Sequence, residues 1–187
     1  MTVNGLVVDP ADYQSVDGSS IVFAEGLNAG DIVAAHSLNQ AGRAAAAFAA
    51  RVGATVASQT GAGGAAAVLF DIETYDDGQC FDASTGVMTA PTTGLYQLNA
   101  AVTLTGMTAA ANDIAVTLAA AGVDHVARHM PDANVPSTLT LAISVLIEMA
   151  SGDTARVLAT VAGEAGDVVG VAGGSDRVSH FSGYLVR

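Results

Sequence analysis

Lysine is absent from this sequence of 187 residues, and positive charge is scarce throughout it. All six basic residues are arginines, against 18 acidic residues, so the formal net charge is −12. Binding to nucleic acid or to an anionic membrane surface requires a clustered basic face, which a few scattered arginines cannot supply. The sequence therefore argues against both nucleic acid and membrane partners.

Charged residues of either sign are also few. They make up 13% of the chain, compared with roughly 25% in ordinary soluble domains, while 51% of the residues are hydrophobic. A monomer of this composition exposes large weakly polar patches, and such patches seldom remain in contact with water. We therefore expect the chain to form an oligomer or to be covered by a partner.

The sequence has one cysteine and no long apolar run. Cys80 alone cannot form an intrachain disulfide, which fits a reducing compartment, and we interpret it as a small, inert apolar residue. The apolar stretch Leu139–Met149 is too short to span a bilayer, and the N-terminus lacks the basic and apolar regions of a signal peptide. We expect the protein to fold in the cytoplasm in which it is made.

Motifs for catalysis or cofactor binding are weak. Residues 61–66 fit a dinucleotide-binding fingerprint, but they precede a predicted strand, Val68–Phe70, whereas that fingerprint follows a strand, so we favour a linker. His125 and His129 have the i, i+4 spacing of metal ligands on a helix, yet the Glu of a metalloprotease is missing, and we favour a solvated loop. No Gly-x-Ser-x-Gly elbow is present. We expect no enzyme activity and no cofactor.

One acidic group deserves comparison with calcium sites. Asp71, Glu73, Asp76 and Asp77 offer the oxygen ligands that Ca²⁺ prefers. Their spacing matches no defined calcium loop, so we favour a solvated acidic turn over a metal site.

The pattern of turn residues divides the chain into three parts. Residues 1–40 read as short strands separated by Pro, Asp and Gly corners, which predicts a small β module. Residues 41–67 are rich in Ala and Gly and are interpreted as a linker; Arg43–Val52 could form a helix, since Ala is the best helix former, with an extended linker as the alternative. Residues 68–187 form a succession of strands, as in a sandwich or jelly roll. The predicted fold class is all-β.

Specific residues in this last part add to the pattern. The segment Phe81–Tyr96 contains a Thr-Gly turn, a short strand, a Pro and then Gly-Leu-Tyr at the start of the next strand. Gly152-Asp153 forms a late turn, and Phe181–Leu185 reads Phe-x-Gly-aromatic-Leu. In this order, these motifs resemble the C1q and tumour-necrosis-factor-like jelly-roll superfamily.

The resemblance implies a homotrimer of jelly rolls around a threefold axis. It also implies a set of residues that determine the fold and the trimer: Gly86, Pro91, Gly94, Tyr96, Gly152, Asp153, Phe181, Gly183, Tyr184 and Leu185. Two departures separate the chain from the animal complement branch, because Met88 replaces the usual Phe and no collagen-like Gly-X-Y stalk is present.

The front module resembles the short β modules of phage tail-fibre and virion appendage proteins. The matching segments are Val3–Leu6, Asp12–Tyr13, Asp17–Ile21 and Ala29–Val33. This resemblance implies a structural protein on the virion surface of a tailed bacteriophage, assembled in the host bacterial cytoplasm. Residues 1–40 would anchor it to capsid or tail proteins, so a chain lacking residues 1–60 is expected to trimerise but not to join particles.

The length of the predicted linker then distinguishes between possible positions on the virion. The predicted linker spans under roughly 100 Å even when extended, so the chain lacks the long shaft of a fibre that reaches a host receptor. We favour a trimeric capsid decoration protein or short head fibre. A receptor-binding tail fibre or spike, which would contact a host surface ligand, is the alternative, followed by a bacterial C1q-like adhesin.

Overall fold

The computed structural model describes residues 46–132 and 134–187, and five two-residue strands nearer the N-terminus. The chain divides into two units, residues 1–42 and 43–187. In the first unit, β1 (Thr2–Val3) pairs antiparallel with β2 (Leu6–Val7) and with β5 (Val33–Ala34), and β3 (Tyr13–Gln14) pairs with β4 (Val22–Phe23). The rest of the predicted N-terminal module lies outside the described residues.

The second unit consists of strands joined by turns and loops. Its strands are β6 (Ala47–Arg51), β7 (Val56–Thr60), β8 (Ala65–Ala67), β9 (Ile72–Asp77), β10 (Phe81–Asp82), β11 (Val87–Thr89), β12 (Gly94–Thr105), β13 (Asp113–Ala120), β14 (Val123–His129), β15 (Thr138–Met149), β16 (Thr154–Ala162), β17 (Val169–Val171) and β18 (His180–Leu185). No helix long and apolar enough to cross a membrane occurs in the described part of the chain.

These strands form two antiparallel sheets. The six-stranded sheet has the order β10-β11-β16-β13-β14, with β8 also paired to β16. The seven-stranded sheet has the order β7-β17-β12-β18-β6-β9, with β15 paired to the other side of β12. Neighbouring strands in each sheet are often distant in sequence, as in a jelly roll. The predicted all-β jelly-roll sandwich is confirmed.

The core lies between the sheets and is built from alternating side chains. In β12, Tyr96, Leu98, Ala100, Val102 and Leu104 are buried on one face, as expected for a strand with a period of two residues. Four phenylalanines meet in this core. The Phe48 ring stacks on Phe81 with centroids 4.9 Å apart and meets the edge of Phe181, also at 4.9 Å, while Phe70 lies 5.7 Å from Phe181.

The prediction of a linker or helix over residues 41–67 is wrong for its described part. Residues 47–51 form β6, which lies between β18 and β9, and β7 and β8 follow it within the jelly roll. Ala46, Phe48, Ala50 and Val52 are buried while the residues between them are half-buried, so the period is that of a strand. The ladder with β18 and the burial of Phe48 outweigh the small helix preference of Ala. The jelly roll therefore begins well before residue 68.

Three local predictions are also corrected. His125 and His129 lie on β14, not in a solvated loop, because β14 continues the sheet through its full pairing with β13. The acidic group from Glu73 to Asp77 lies on β9, which pairs with β6, rather than in a turn. Val68–Phe70 is not a strand; the strand that follows the glycine-rich residues 61–64 is β8, paired with β16.

Candidate functional site

The candidate site is the edge of the sandwich formed by β15. This strand pairs with β12 along its whole length, from Thr138 opposite Thr105 to Met149 opposite Gly94. Among the described residues, β12 is its only ladder partner. An edge strand of 12 residues presents a long row of unpaired backbone groups, which proteins usually cover or blunt. This edge is therefore a favourable place for another strand or another molecule to bind.

The side chains of β15 also favour binding of another molecule at this edge. The row that points toward the sandwich interior is entirely apolar and packs against the core, but its members are only half-buried. They are Leu139, Leu141, Ile143, Val145 and Ile147. We call these five residues the edge row. Because a closed sandwich would bury such a row completely, the open side of the edge row leaves apolar surface available to another molecule.

The facing strand is β14, the last strand of the six-stranded sheet. Its half-buried side chains are His125, Ala127 and His129, which lie opposite the buried Leu118, Val116 and Ile114 of β13. The Nε2 atom of His125 is buried and has no hydrogen-bond partner among the described residues. The pair of histidines thus lies on one face of a strand, as part of this edge.

The outer face of β12 and β15 is polar but carries little charge. Gln97 Nε2 donates to Ser144 Oγ at 2.9 Å, and Ser144 Oγ donates to Asn99 Oδ1 at 2.8 Å. Thr103 Oγ1 lies 2.8 Å from Thr140 Oγ1. Leu146 stands 56% exposed beside this network. Such a face holds no nucleophile activated by a base, and it suits contact with another protein surface.

Two of the glycines implied by the resemblance lie where the backbone leaves no room for a side chain. A Cβ on Gly94 would lie 2.5 Å from the carbonyl oxygen of Arg187 and 2.5 Å from Leu185. A Cβ on Gly183 would lie 2.5 Å from Leu98 and 2.9 Å from Phe48. Both positions therefore bring neighbouring chain segments into close approach.

Four further residues of that set lie in turns. Gly86 has a φ of 71° and Gly152 a φ of 92°, which favour glycine. The amide of Gly86 donates to the carbonyl of Asp82 at 2.7 Å. Asp153 closes its turn because its Oδ2 accepts from the amide of Ala150 at 2.8 Å, and the carbonyl of Pro91 accepts from Ser151 Oγ at 3.1 Å.

The aromatic members differ in burial. Tyr96 and Phe181 are fully buried, and the Tyr96 hydroxyl donates to the carbonyl of Thr92 at 2.6 Å. Tyr184 is 49% exposed on the outer face of its sheet, and the amide of Leu185 donates to the carbonyl of Ala46 at 2.8 Å. The ten predicted residues are thus spread over core, turns and surface. Their effect on folding and trimerisation stays a prediction.

The acidic residues near β9 do not converge on a common point. Asp71 Oδ1 accepts from the amide of Gly53, and Asp76 accepts from the amides of Cys80 and Phe81. These carboxylates therefore bind backbone groups of adjacent segments. No group of three or more potential metal ligands occurs within the described ranges.

Cys80 is buried beside this acidic segment. Its thiol donates to Asp76 Oδ1 at 3.2 Å. Burial, together with that hydrogen bond and the negative charge of Asp76, raises the pKa of the Cys80 thiol to about 12. The thiolate is therefore scarce at neutral pH, and the sulfur is a poor nucleophile.

Comparison with known proteins identifies the family. The profile of the C1q domain matches residues 47–186. This chain belongs to the C1q domain family. The match begins at β6, in agreement with the corrected start of the jelly roll. No curated protein matches the chain.

Solved structures with the same fold come from several animal proteins. The globular domain of zebrafish complement 1qA is 17% identical, with a TM-score of 0.54 over 76% of this chain and 98% of that one. The Eiger TNF of S. frugiperda is 12% identical, with a TM-score of 0.53 over 78% and 94%. Murine APRIL is also 12% identical, with a TM-score of 0.50 over 76% and 99%. These similarities establish the C1q/TNF jelly-roll fold of this C1q domain.

The edge row is the functional feature that sequence reasoning missed. The sequence alone indicates that Leu139–Met149 is an apolar stretch too short to span a bilayer. The signal was present in the alternation of apolar with small or polar residues from Thr138 onward. What the alternation alone cannot indicate is that β15 stands at an edge, since pairing order depends on the whole sheet.

Proposed function

We propose that this protein is a homotrimeric structural protein on the virion surface of a tailed bacteriophage, a capsid decoration protein or short head fibre. C1q and TNF-like domains typically form homotrimers, and they are generally ligand-binding or structural domains rather than enzymes. The half-exposed edge row carries the oligomeric part of the proposal. The virion location rests on the resemblance of short segments between Val3 and Val33 to phage tail-fibre modules.

The physical reason for trimerisation is the burial of the edge row. Each apolar side chain that is fully removed from water contributes roughly 1.5–3 kcal/mol, so completing the burial of five half-exposed side chains supplies a substantial part of an interface. A neighbouring copy that packs against β14 and β15 also covers the unpaired edge. The weakly charged outer face beside it, with Leu146 and the Gln97 network, extends the apolar and uncharged surface.

The division of the chain into two units supports the proposed location. Residues 1–42 form a separate unit, which is available as an anchor, while the C1q domain supplies the projecting knob. A receptor-binding tail fibre or spike uses the same parts with the knob facing a host surface ligand. A bacterial C1q-like adhesin is the further alternative, and it requires secretion from the cell.

Ile143→Glu tests the edge row. Burial of a carboxylate at the centre of this row costs far more than exposed substitution, so we expect the variant to be monomeric by light scattering at micromolar concentration. Val126→Glu is the matched control, because Val126 is 50% exposed on β14 and points away from the edge row. A trimeric Ile143→Glu protein, or dissociation of both variants, would contradict the assignment.

Removal of residues 1–42 tests the anchor. The sequence alone suggested a deletion of residues 1–60. That deletion would remove β6 and β7 from the jelly roll, so the shorter deletion is the better test. The shortened chain should trimerise but fail to join particles that lack the full-length protein. Quantitative gel analysis of purified virions then separates the locations, since hundreds of copies indicate decoration and a few to a few tens indicate a tail or vertex appendage. Normal incorporation of the shortened chain would contradict the assignment of residues 1–42 as the anchor.

A further inference from the structure

A cavity on the outer face of the seven-stranded sheet gathers cationic side chains. It has a volume of about 340 Å³, within the range of roughly 300–1,000 Å³ that is usual for small-molecule sites. It lies on β6, β9 and β18, so β12 separates it from the β15 edge. Its polar lining consists of Arg51, Thr74, Tyr75, Arg177, His180 and Ser182.

Two of the six arginines of the chain converge here with a histidine. Arg51 on β6 and His180 on β18 are directly paired across the ladder, so their side chains leave the sheet side by side. Arg177 precedes β18, and its carbonyl oxygen accepts a hydrogen bond from His180 Nδ1 at 3.0 Å. Arg51 Nη1 donates to the carbonyl of Gly174 at 2.9 Å. Both contacts fix the loop of residues 174–177 over the strands.

Neither arginine of this cavity forms an ion pair among the described residues, and the adjacent Asp176 is not one of the lining residues. The chain has three times as many acidic as basic residues, yet no acidic residue lines the cavity. The one ion pair in the described ranges joins Arg128 to Asp113, on the other sheet. The guanidinium groups of Arg51 and Arg177 therefore keep donors free for an anion from outside, and a planar guanidinium matches a carboxylate with two parallel hydrogen bonds.

The backbone conformation of Arg177 also supports a binding site here. Its φ is 53°, a left-handed conformation that is strained for a non-glycine residue. Glycine would fit this position without strain. Strained backbone of this kind tends to occur at binding sites, and here it holds an arginine at the rim of the cavity.

Among anions, the remaining lining residues favour a sugar acid as the ligand. Tyr75 is 49% exposed, and its ring offers a flat apolar face beside the arginines, on which the C–H face of a sugar can pack. The hydroxyls of Ser182 and Thr74 offer both donors and acceptors for sugar hydroxyls. We propose that this cavity binds the carboxylate-bearing unit of an acidic polysaccharide. The proposal does not depend on the virion location, and it adds a ligand to a protein otherwise assigned a structural role.

Titration of the full-length protein with D-glucuronate, followed by NMR or calorimetry, tests the site. Glucose, acetate and sulfate serve as comparison ligands. We expect saturable binding of glucuronate, much weaker binding of acetate and sulfate, and none of glucose. Arg177→Gly and Arg51→Gln should each weaken glucuronate binding at least about tenfold, since hydrogen bonds to charged groups contribute that much. Arg156→Gln is the matched control, an exposed arginine on β16, and should bind normally.

Arg177→Gly also separates binding from folding. Because glycine relieves the left-handed backbone, this variant should keep or raise its melting temperature while it loses affinity. The absence of glucuronate binding would overturn the proposal, as would equal binding of acetate and sulfate or an equal loss in Arg156→Gln. Dissociation of the oligomer by Arg51→Gln and Arg177→Gly without any ligand binding would also overturn it, because the cations would then serve a neighbouring copy.

Discussion

At the scale of single residues, the space between the sheets is filled by a few large aromatic side chains. Phe181 lies at the centre, with Phe48 at 4.9 Å, Phe70 at 5.7 Å and Phe81 at 6.1 Å between ring centroids. Tyr96 fills the core and hydrogen-bonds the loop before its own strand. These residues come from four strands and from the segment that contains Phe70, so loss of one side chain disturbs packing between several elements.

Phe181→Ala and Tyr96→Ala should each destabilise the fold by roughly 3–5 kcal/mol, the usual cost of deleting a buried aromatic side chain. Thermal or chemical denaturation measures the effect. Val123→Ala provides the control, because Val123 is 51% exposed and should change stability little. Unchanged melting temperatures in both aromatic variants would contradict their place in the core.

Cys80 offers a residue-scale prediction that depends on pH. The pKa of its thiol is about 12 in the folded protein and 9.0 for an ordinary thiol. Since the folded pKa is raised, the protonated thiol contributes stability that is complete below pH 9 and is lost as pH rises from 9 towards 12. We expect iodoacetamide to label Cys80 at pH 8 far more slowly in the native than in the unfolded protein.

Cys80→Ala provides the control for the alkaline part of that prediction. This variant lacks the thiol, so part of the fall in stability between pH 9 and 12 should disappear from its denaturation curves. Fast native labelling at pH 8, or an identical alkaline fall in the variant, would show that the thiol is not held by Asp76 as described.

At the scale of elements, β6 shows how tertiary context overrides local preference. Its residues Ala47–Arg51 would be tolerated in a helix, but the strand completes the ladder between β18 and β9 and places Phe48 in the core. Gly183 on β18 leaves room for the Phe48 ring, because a Cβ at that position would lie 2.9 Å from the ring. The element therefore exists through its partners rather than through its own sequence preference.

The fragment of residues 43–187 should fold alone, whereas the fragment of residues 68–187 should not. The shorter fragment lacks β6, β7 and β8, which removes the Phe48 ring from Phe81 and leaves β9 and β18 without their common neighbour. Circular dichroism and the dispersion of amide NMR signals distinguish the two. A well-folded 68–187 fragment would show that these strands are dispensable.

At the scale of the whole molecule, the shortage of charge limits the kinds of contact that copies can make in the proposed trimer. With 13% charged residues and no lysine, few ion pairs can cross an interface, and exposed pairs contribute only about 0–1 kcal/mol each. Apolar contact must supply the rest. Obligate assemblies bury roughly 2,000 Å² or more and have apolar interfaces, which is the character of the edge row.

The proposed trimer should therefore tolerate high salt. Added NaCl screens repulsion between subunits that each carry a formal charge of −12, and it leaves apolar burial intact. Light scattering across a salt series up to about 1 M should report a constant trimer mass. A monomer at micromolar concentration, or dissociation as salt rises, would refute the apolar explanation.

The sequence by itself determined the features that depend on neighbouring residues. The alternation in β12, the turns at Gly86 and Gly152, and the motif from Phe81 to Tyr96 led to the all-β jelly roll, because strand period and turn chemistry are local properties. Composition likewise predicted association between copies, because the fraction of charged residues can be counted without knowing where each residue lies.

Only the tertiary structure decided what depends on distant pairing. The assignment of Ala47–Arg51 to a strand required β18, which follows it by more than 120 residues, and the edge position of β15 required the order of the whole sheet. The approach of Arg51, Arg177 and Tyr75 to one cavity has the same origin. Hydrogen bonding between remote strands fixes these neighbours, and no local pattern in the sequence encodes it.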